Sequence, residues 1–260
     1  DDINVIIQNE VKMEVIEELG VNPSSVQIAN KIIWVEGKYD AFYIRLLLNK
    51  KGIKEDKRKY IEEYDYVFVP YGGSNGSLIN FSLENSNEEN KEFILKAEKI
   101  NHNFLIIMDD DGISDGRSSR AKKERYDSLQ KTLGKKLYKL KAREIENIFP
   151  VEVVKLFFKQ GLKSGLDNDL SFLEEIKYTD YKNKKLGDYL NDLVKENIGD
   201  DLKQITGRES GFSFNGFLYN KSKFHECVLE WINQNDFDYE KDIPSETKEF
   251  IDFVEKYIET

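Results

Sequence analysis

The chain has 260 residues, of which 39% are hydrophobic and 34% charged, and its net charge is −10. This composition predicts a globular protein with a heavily charged surface and excludes a largely disordered chain. The single cysteine, Cys227, excludes an internal disulfide and favours a reducing compartment, so we expect a cytoplasmic protein. No stretch approaches the roughly 18 apolar residues of a membrane span, and no signal peptide is recognised. Because the chain begins with Asp1, we expect a piece of a longer protein.

The predicted elements begin with an amphipathic helix over residues 1–21, which the turn at Asn22 and Pro23 ends. A short apolar run over residues 32–35 predicts a buried strand that stops at Glu36. From residue 39 the apolar residues recur at helical spacing. Strand, glycine turn and helix in this order indicate the start of an α/β unit.

Three further strands are predicted over residues 66–69, 104–108 and, more weakly, 136–140. A glycine loop over residues 71–76 follows the second strand, and helical sequence near 118–132 follows the third. Four strands that alternate with helices predict an α/β fold with a four-stranded parallel sheet and right-handed crossovers.

After about residue 150 the strand signals stop. Residues 151–200 and 221–231 predict helices, residues 203–220 a loop, and residues 236–242 an acidic link before a last helix that Pro244 and Ser245 begin. We therefore expect an N-terminal helix and connector over residues 1–30, a catalytic core over 31–150, and a helical C-terminal subdomain over 151–260.

Acidic residues follow three of the four predicted strands. In an open parallel sheet the functional crevice lies beyond the carboxyl ends of the strands, so we expect these acids to share one rim. Asp109 and Asp111, two residues apart on an extended segment, should face the same side. The acids expected at this rim are Glu36, Asp40, Asp109, Asp111, Glu144 and Glu146.

So many carboxylates in one cleft would repel one another, and bound divalent cations would relieve the repulsion. Mg²⁺ and Mn²⁺ favour hard oxygen ligands, and the two histidines are too scattered for a histidine-based site. Taken singly, each motif has a simpler interpretation as a helix cap, a turn or a pair of first-turn acids that complement a helix dipole. Their joint placement at strand ends favours a site for Mg²⁺ or Mn²⁺.

Basic residues concentrate in residues 115–143, which hold eleven Lys or Arg and three acids. This segment has a net charge of +8, and the remainder of the chain has −18. A basic surface of this kind can bind a phosphate backbone, although a solvated lysine-rich helix explains it equally well. The candidate DNA-binding residues are Arg117, Arg120, Lys122, Lys123 and Arg143.

These motifs, in this order, resemble the Toprim domain, and more closely its variant in the OLD (overcoming lysogenization defect) family of ATP-dependent endonucleases. The resemblance rests on a lead-in at residues 21–30, IIWVEGKYDAFYI at 32–44, VPYGG at 69–73, LIIMDDD at 105–111 and REIENIFP at 143–150. These segments span about half of the chain and nearly all of the predicted sheet, whereas the C-terminal hundred residues match loosely.

The resemblance implies a DNA endonuclease that uses two Mg²⁺ or Mn²⁺ ions. Glu36, Asp109 and Asp111 would be catalytic and hold one ion, while Asp40 and Glu146 would help to hold the second. The family also has a catalytic lysine, for which Lys223 is the best match and Lys221 the alternate. Asp110 departs from the family, which often has a small polar residue there.

The family's ATPase carries a phosphate loop of the form GxxxxGK[ST], which this chain lacks. We therefore expect an OLD-type ATPase as a separate domain or subunit, besides DNA, as a partner. A homo-oligomer is possible, a membrane partner is not expected, and a role in defence against phage is suggested by the family alone.

Two other functions remain open. A topoisomerase or primase would use the same fold, but none of the fourteen tyrosines has a recognisable nucleophile context, and the lone cysteine argues against a primase zinc module. A non-catalytic module that binds DNA or an ATPase is the other alternative.

Overall fold

The computed structural model describes residues 23–54, 60–71, 101–164, 169–234 and 236–260. The predicted N-terminal helix over residues 1–21 and most of the predicted glycine loop lie outside these residues. Within the described ranges, no helix combines the length and the apolar run that crossing a membrane requires.

A four-stranded parallel sheet organises the first part of the chain. Strand β1 (Lys31–Val35) lies between β2 (Tyr66–Pro70) and β3 (Phe104–Met108), and β3 pairs with β4 (Leu137–Lys139). The predicted α/β fold with four parallel strands is confirmed, with strand bounds that shift by one or two residues. All residues of β3 are buried, and so are those of β1 from its second residue onward, as expected for interior strands. Pro70 is tolerated because it ends an edge strand.

Helices flank the sheet and connect its strands. Helix α1 (Pro23–Ile28) precedes β1, α2 (Lys38–Lys54) follows it, and α3 (Arg120–Leu133) joins β3 to β4 through a 3₁₀ turn, Gly134–Lys136. Ser119 begins α3 because its hydroxyl accepts a hydrogen bond from the Lys122 backbone at 3.2 Å. The sequence prediction of helices after the first and third strands is thus confirmed.

The chain after β4 is mostly helical. Its elements are the 3₁₀ helix Ile145–Ile148, α4 (Val151–Gly161), the 3₁₀ helix Ser171–Glu175, α5 (Tyr178–Tyr181), α6 (Leu186–Asn197), α7 (Leu202–Thr206), β5 (Ser213–Phe214), β6 (Phe217–Leu218), α8 (Lys221–Ile232), α9 (Tyr239–Asp242) and α10 (Ser245–Glu259).

The prediction of a loop over residues 203–220 is wrong. This segment contains α7 and an antiparallel hairpin of β5 and β6, so strands do not stop at residue 150. The hairpin turns at Asn215 and Gly216, whose φ angles of 50° and 78° are the positive values that a tight two-residue turn requires. The acidic link over residues 236–242 likewise contains the short helix α9.

The residues form two compact units, each with its own core. The sheet unit contains the described residues up to Asp109, with Gly116–Lys139 and Ile251–Thr260; the helical unit contains Asp110–Asp115 and Leu140–Phe250. Helix α10 therefore begins in the helical unit and ends in the sheet unit. The domain limits drawn from the sequence are contiguous and stay a prediction.

Each core has a distinct composition. In the sheet unit, Trp34 and Tyr43 are fully buried among the aliphatic side chains of the strands. In the helical unit, aromatic rings pack together: Phe212 stacks on Phe158 with centroids 5.3 Å apart, and Phe157 meets Phe224 edge-on at 5.3 Å. This aromatic packing gives the helical unit a rigid interior that fixes its loops.

Candidate metal centre

Two of the predicted acids leave neighbouring strands of the sheet unit. Glu36 directly follows β1 and Asp109 directly follows β3, and the register pairs Trp34 with Ile106. Since parallel strands lie about 4.8 Å apart, the backbones of both acids start at the same edge of the sheet. Glu36 is exposed and Asp109 partly buried.

Asp40 lies in the first turn of α2 and is buried. Its Oδ2 accepts a hydrogen bond from the Gly37 backbone at 3.1 Å, so the carboxylate turns back over the N-terminus of its own helix toward the end of β1. This orientation agrees with the one expected from the sequence. We call Glu36, Asp40 and Asp109 the sheet-edge acids.

The three consecutive aspartates do not continue β3 as an extended segment. The strand ends at Met108, and Asp111 has a left-handed backbone with φ 50°, so the alternation that should place Asp109 and Asp111 on one side does not apply. That part of the prediction is wrong. The motif also divides between the units, because Asp109 belongs to the sheet unit and Asp111 to the helical unit.

Asp110 holds the turn that produces this geometry. Its buried carboxylate accepts hydrogen bonds from the backbone of Gly112 at 3.1 Å, from the backbone of Ser114 at 3.2 Å and from the Ser114 hydroxyl at 2.5 Å. A side chain that bonds to backbone two and four residues ahead stabilises a tight loop. Asp110 therefore orders the loop that carries its neighbours Asp109 and Asp111.

Three acids of the helical unit lie close together, and we call Asp111, Glu144 and Glu146 the acid cluster. The Asp111 backbone donates a hydrogen bond to the carbonyl of Arg143 at 3.2 Å, which places it beside Glu144. Glu146 lies on the 3₁₀ helix Ile145–Ile148, all four residues of which are buried, and its carboxylate is completely inaccessible to solvent. The packing of Ile145 and Ile148 thus carries Glu146 into the interior.

The lysine beside this cluster is Lys221. Its Nζ lies 2.8 Å from Oε1 of Glu146, a charge contact without hydrogen-bond geometry, and Oε2 of Glu146 has no hydrogen-bond partner among the described residues. Lys223 instead pairs with Glu226 at 3.0 Å on the surface of α8. The structure therefore brings the alternate lysine to the acids and places the preferred one elsewhere. Asn220 determines this choice because its side chain caps α8 and makes Lys221 the first helical residue.

The surroundings of Glu144 disfavour its charged form, chiefly because the carboxyl is buried. Burial, reinforced by the charge of Glu146, raises the pKa of Glu144 from 4.5 to about 7. Lys221 and the backbone N–H of Leu186 oppose this rise in pKa, and Asp111 adds to it. One lysine therefore does not neutralise the acids around it.

The chemistry of the acid cluster fits a hard divalent cation, because all its donors are carboxylate oxygens and one buried oxygen of Glu146 has no partner. The geometry is less complete. In the part of the chain that the structure describes, no three His, Cys, Asp or Glu side chains are arranged to hold a metal ion.

The chain matches no protein-family model, no curated protein and no solved structure. The arrangement of these side chains and the order of the motifs are therefore the features that bear on its function.

The candidate DNA-binding residues divide between the two units. Arg117, Arg120, Lys122 and Lys123 belong to the sheet unit and Arg143 to the helical unit. On α3, Arg120 pairs with Glu124 at 2.8 Å and Lys123 with Asp127 at 3.5 Å, each one turn along the helix. These pairs offset part of the positive charge that α3 presents, and the net charge of +8 already includes both of these acids.

Asn147 is a structural residue of the site that the sequence analysis did not select. Its buried Nδ2 donates hydrogen bonds to the carbonyls of Tyr181 at 2.7 Å and Lys184 at 3.1 Å, which fixes the 3₁₀ helix carrying Glu146. Its position directly after Glu146 in the REIEN segment was the available signal, and its Oδ1 has no hydrogen-bond partner among the described residues.

Proposed function

We propose that this chain is a metal-dependent endonuclease with a Toprim-like core, which hydrolyses DNA phosphodiester bonds with Mg²⁺ or Mn²⁺. The single observation that carries the proposal is the acid cluster, in which a completely buried glutamate has an unpartnered oxygen beside a second glutamate of raised pKa. Such a pair is costly to a fold unless a cation binds there. The motif order and the acids that end β1 and β3 supply the reaction class.

The proposal gives each group of residues a separate role. Each set of acids would hold a divalent ion within its own unit. Such an ion, when bound, would lower the pKa of a water and neutralise charge on the leaving oxygen. Asp110 keeps the loop between the two sets of acids in place. We assign the contact with the scissile phosphate to Lys221 rather than Lys223, because Lys221 lies at the acid cluster with 36% of its side chain exposed.

Supercoiled plasmid with Mg²⁺ or Mn²⁺, and with EDTA as the control, tests the proposal. We expect nicked and linear products that depend on the metal. Relaxed topoisomers without broken strands would instead show a topoisomerase. Retained DNA with no change of form would show a non-catalytic binding module, and either result would overturn the endonuclease.

Isosteric variants test the assigned residues. We expect Asp109→Asn and Glu146→Gln to lower the cleavage rate by roughly 10²–10³-fold, the typical effect of removing a group that stabilises developing charge. Lys221→Met should lower the rate similarly, while the matched Lys223→Met should leave it within about twofold of the parent. Equal losses in both lysine variants would contradict the assignment to Lys221.

A readout independent of cleavage is a crystal soaked in Mn²⁺. Anomalous peaks count the ions and identify which acids share each of them. We expect Glu146 among the ligands, and a peak elsewhere with none at Glu146 would remove the proposed site. An ATPase partner, self-association and a role in phage defence rest on the family resemblance alone.

A further inference from the structure

The hairpin of β5 and β6 is anchored firmly to the helical unit. Phe212, just before β5, is fully buried, and its backbone N–H donates a hydrogen bond to Asn191 at 2.7 Å. Its carbonyl accepts one from the Tyr219 backbone at 2.8 Å and lies so close to Gly187 that an added Cβ there would be 2.5 Å away. The base of the hairpin is thereby held at both ends, so its tip has a defined position.

Two phenylalanines stand at this tip in solvent. Phe214 and Phe217 are directly opposite each other across the hairpin, and 57% and 62% of their surfaces are exposed. Paired residues project from the same face of a hairpin with Cβ atoms about 5 Å apart. Neither ring makes a ring contact with any other described residue, so the faces of both remain open. Two adjacent exposed aromatic rings form an apolar patch of the kind that marks an interaction site.

Positive charge lies next to these rings. Nζ of Lys185 sits beside the turn, 2.7 Å from where a Cβ of Gly216 would be, and the exposed Lys184 precedes it in the chain. Among the residues that the structure describes, neither lysine pairs with a carboxylate. Nζ of Lys184 lies over the Tyr189 ring, 4.9 Å from its centroid, so Lys185 is the ammonium group that stands beside the aromatic rings of the tip.

We propose that the tip of this hairpin binds unpaired bases of a DNA strand, with Phe214 and Phe217 stacking on bases and Lys185 contacting the backbone phosphate. Aromatic rings beside basic side chains are the usual means of holding single-stranded nucleic acid without sequence preference. A protein partner would use the rings but would not require the adjacent lysines. The choice of DNA rests on the proposed function and specifies its substrate as DNA with locally unpaired bases.

Fluorescence anisotropy of a labelled oligothymidylate, measured in EDTA with the full chain, tests this proposal. We expect Phe214→Ala and Phe217→Ala each to weaken binding roughly 5- to 100-fold, the loss of one stacked base. Phe217→Trp should preserve binding and show quenching of the new indole when oligothymidylate is added, whereas Phe217→Leu should weaken it although it stays apolar. Lys185→Gln should reduce the slope of log Kd against log salt concentration by about one, because one phosphate contact is lost.

The matched control is Tyr64→Ala, which removes an aromatic side chain of 56% exposure from the sheet unit and should leave binding unchanged. Binding that is equally strong in Phe217→Leu and Phe217→Trp would overturn base stacking. Alanine variants of Phe214 or Phe217 that bind oligothymidylate normally but lose self-association would also overturn it. If the chain cleaves plasmid with metal but does not bind oligothymidylate, this inference is overturned and the proposed endonuclease is not. If the chain binds oligothymidylate but does not cleave plasmid, the proposed endonuclease is overturned and this inference is not.

Discussion

Replacing Glu144 with glutamine should stabilise the protein at neutral and alkaline pH when no divalent cation is present. In the folded protein, burial and the charge of Glu146 raise the pKa of the Glu144 carboxyl from 4.5 to about 7. Between these values the unfolded chain releases the proton of Glu144 and the folded chain retains it. The free energy of unfolding therefore falls as pH rises toward 7 and then levels off.

The size of this effect follows from the shift. One pKa unit corresponds to about 1.36 kcal/mol, so a rise from 4.5 to about 7 destabilises the folded chain by at most about 3 kcal/mol. Glutamine carries no charge and keeps an oxygen that accepts the Leu186 N–H. We therefore expect Glu144→Gln to gain less than about 1 kcal/mol near pH 5 and up to about 3 kcal/mol near pH 8.

Urea unfolding followed by circular dichroism in EDTA at the two pH values measures this difference. The control is Glu175→Gln, an exposed glutamate of the same unit that should change the free energy of unfolding by less than about 0.5 kcal/mol at either pH. A gain that is the same at both pH values would show that packing, not the carboxylate charge, is responsible. A loss of stability near pH 8 would refute the raised pKa of Glu144 in the folded protein.

Three further substitutions test other parts of the structure by the same unfolding measurement. Asp110→Ala should cost about 1–3 kcal/mol because three donors in its loop lose their acceptor, and Asp110→Asn should restore part of this. Lys51→Met should cost about 3–5 kcal/mol, since it leaves the buried Glu255 without its cation; an unchanged midpoint would contradict that ion pair. Gly187→Ala should cost about 1–3 kcal/mol because its Cβ meets the Phe212 carbonyl, whereas Gly52→Ala, with open space, should not destabilise.

The sheet could be predicted because its strands are encoded locally. The apolar runs that form β1 and β3 stop abruptly at Glu36 and Asp109, so both the strands and the acids that end them are visible in the chain. The hairpin was equally local, since Asn215 and Gly216 between phenylalanines indicate a tight turn, but short strands in a glycine-rich segment were taken for a loop.

What the sequence could not supply was the direction of individual side chains. Lys221 and Lys223 are two residues apart, and only the helix start that Asn220 caps determines which one reaches Glu146. In the same way, the sequence predicts an extended segment at Asp111. The left-handed backbone that Asp111 has depends on hydrogen bonds that Asp110 makes further along the loop, and no local pattern indicates them. Such choices depend on tertiary contacts and not on local pattern.

Two buried lysine–glutamate contacts in this chain separate a structural role from a functional one. Lys51 contacts both Asp252 and Glu255, and the other oxygen of Glu255 accepts a hydrogen bond from Tyr60 at 3.3 Å, so both oxygens of Glu255 have partners although one lysine faces two acids. Glu146 has one lysine, an orphaned second oxygen and another glutamate nearby. A chain under selection for stability alone would do better with an apolar residue at position 146, because an incompletely paired buried carboxylate costs several kcal/mol. Folding explains the first contact. The orphaned oxygen of Glu146 is the feature that the divalent cation proposed above would satisfy.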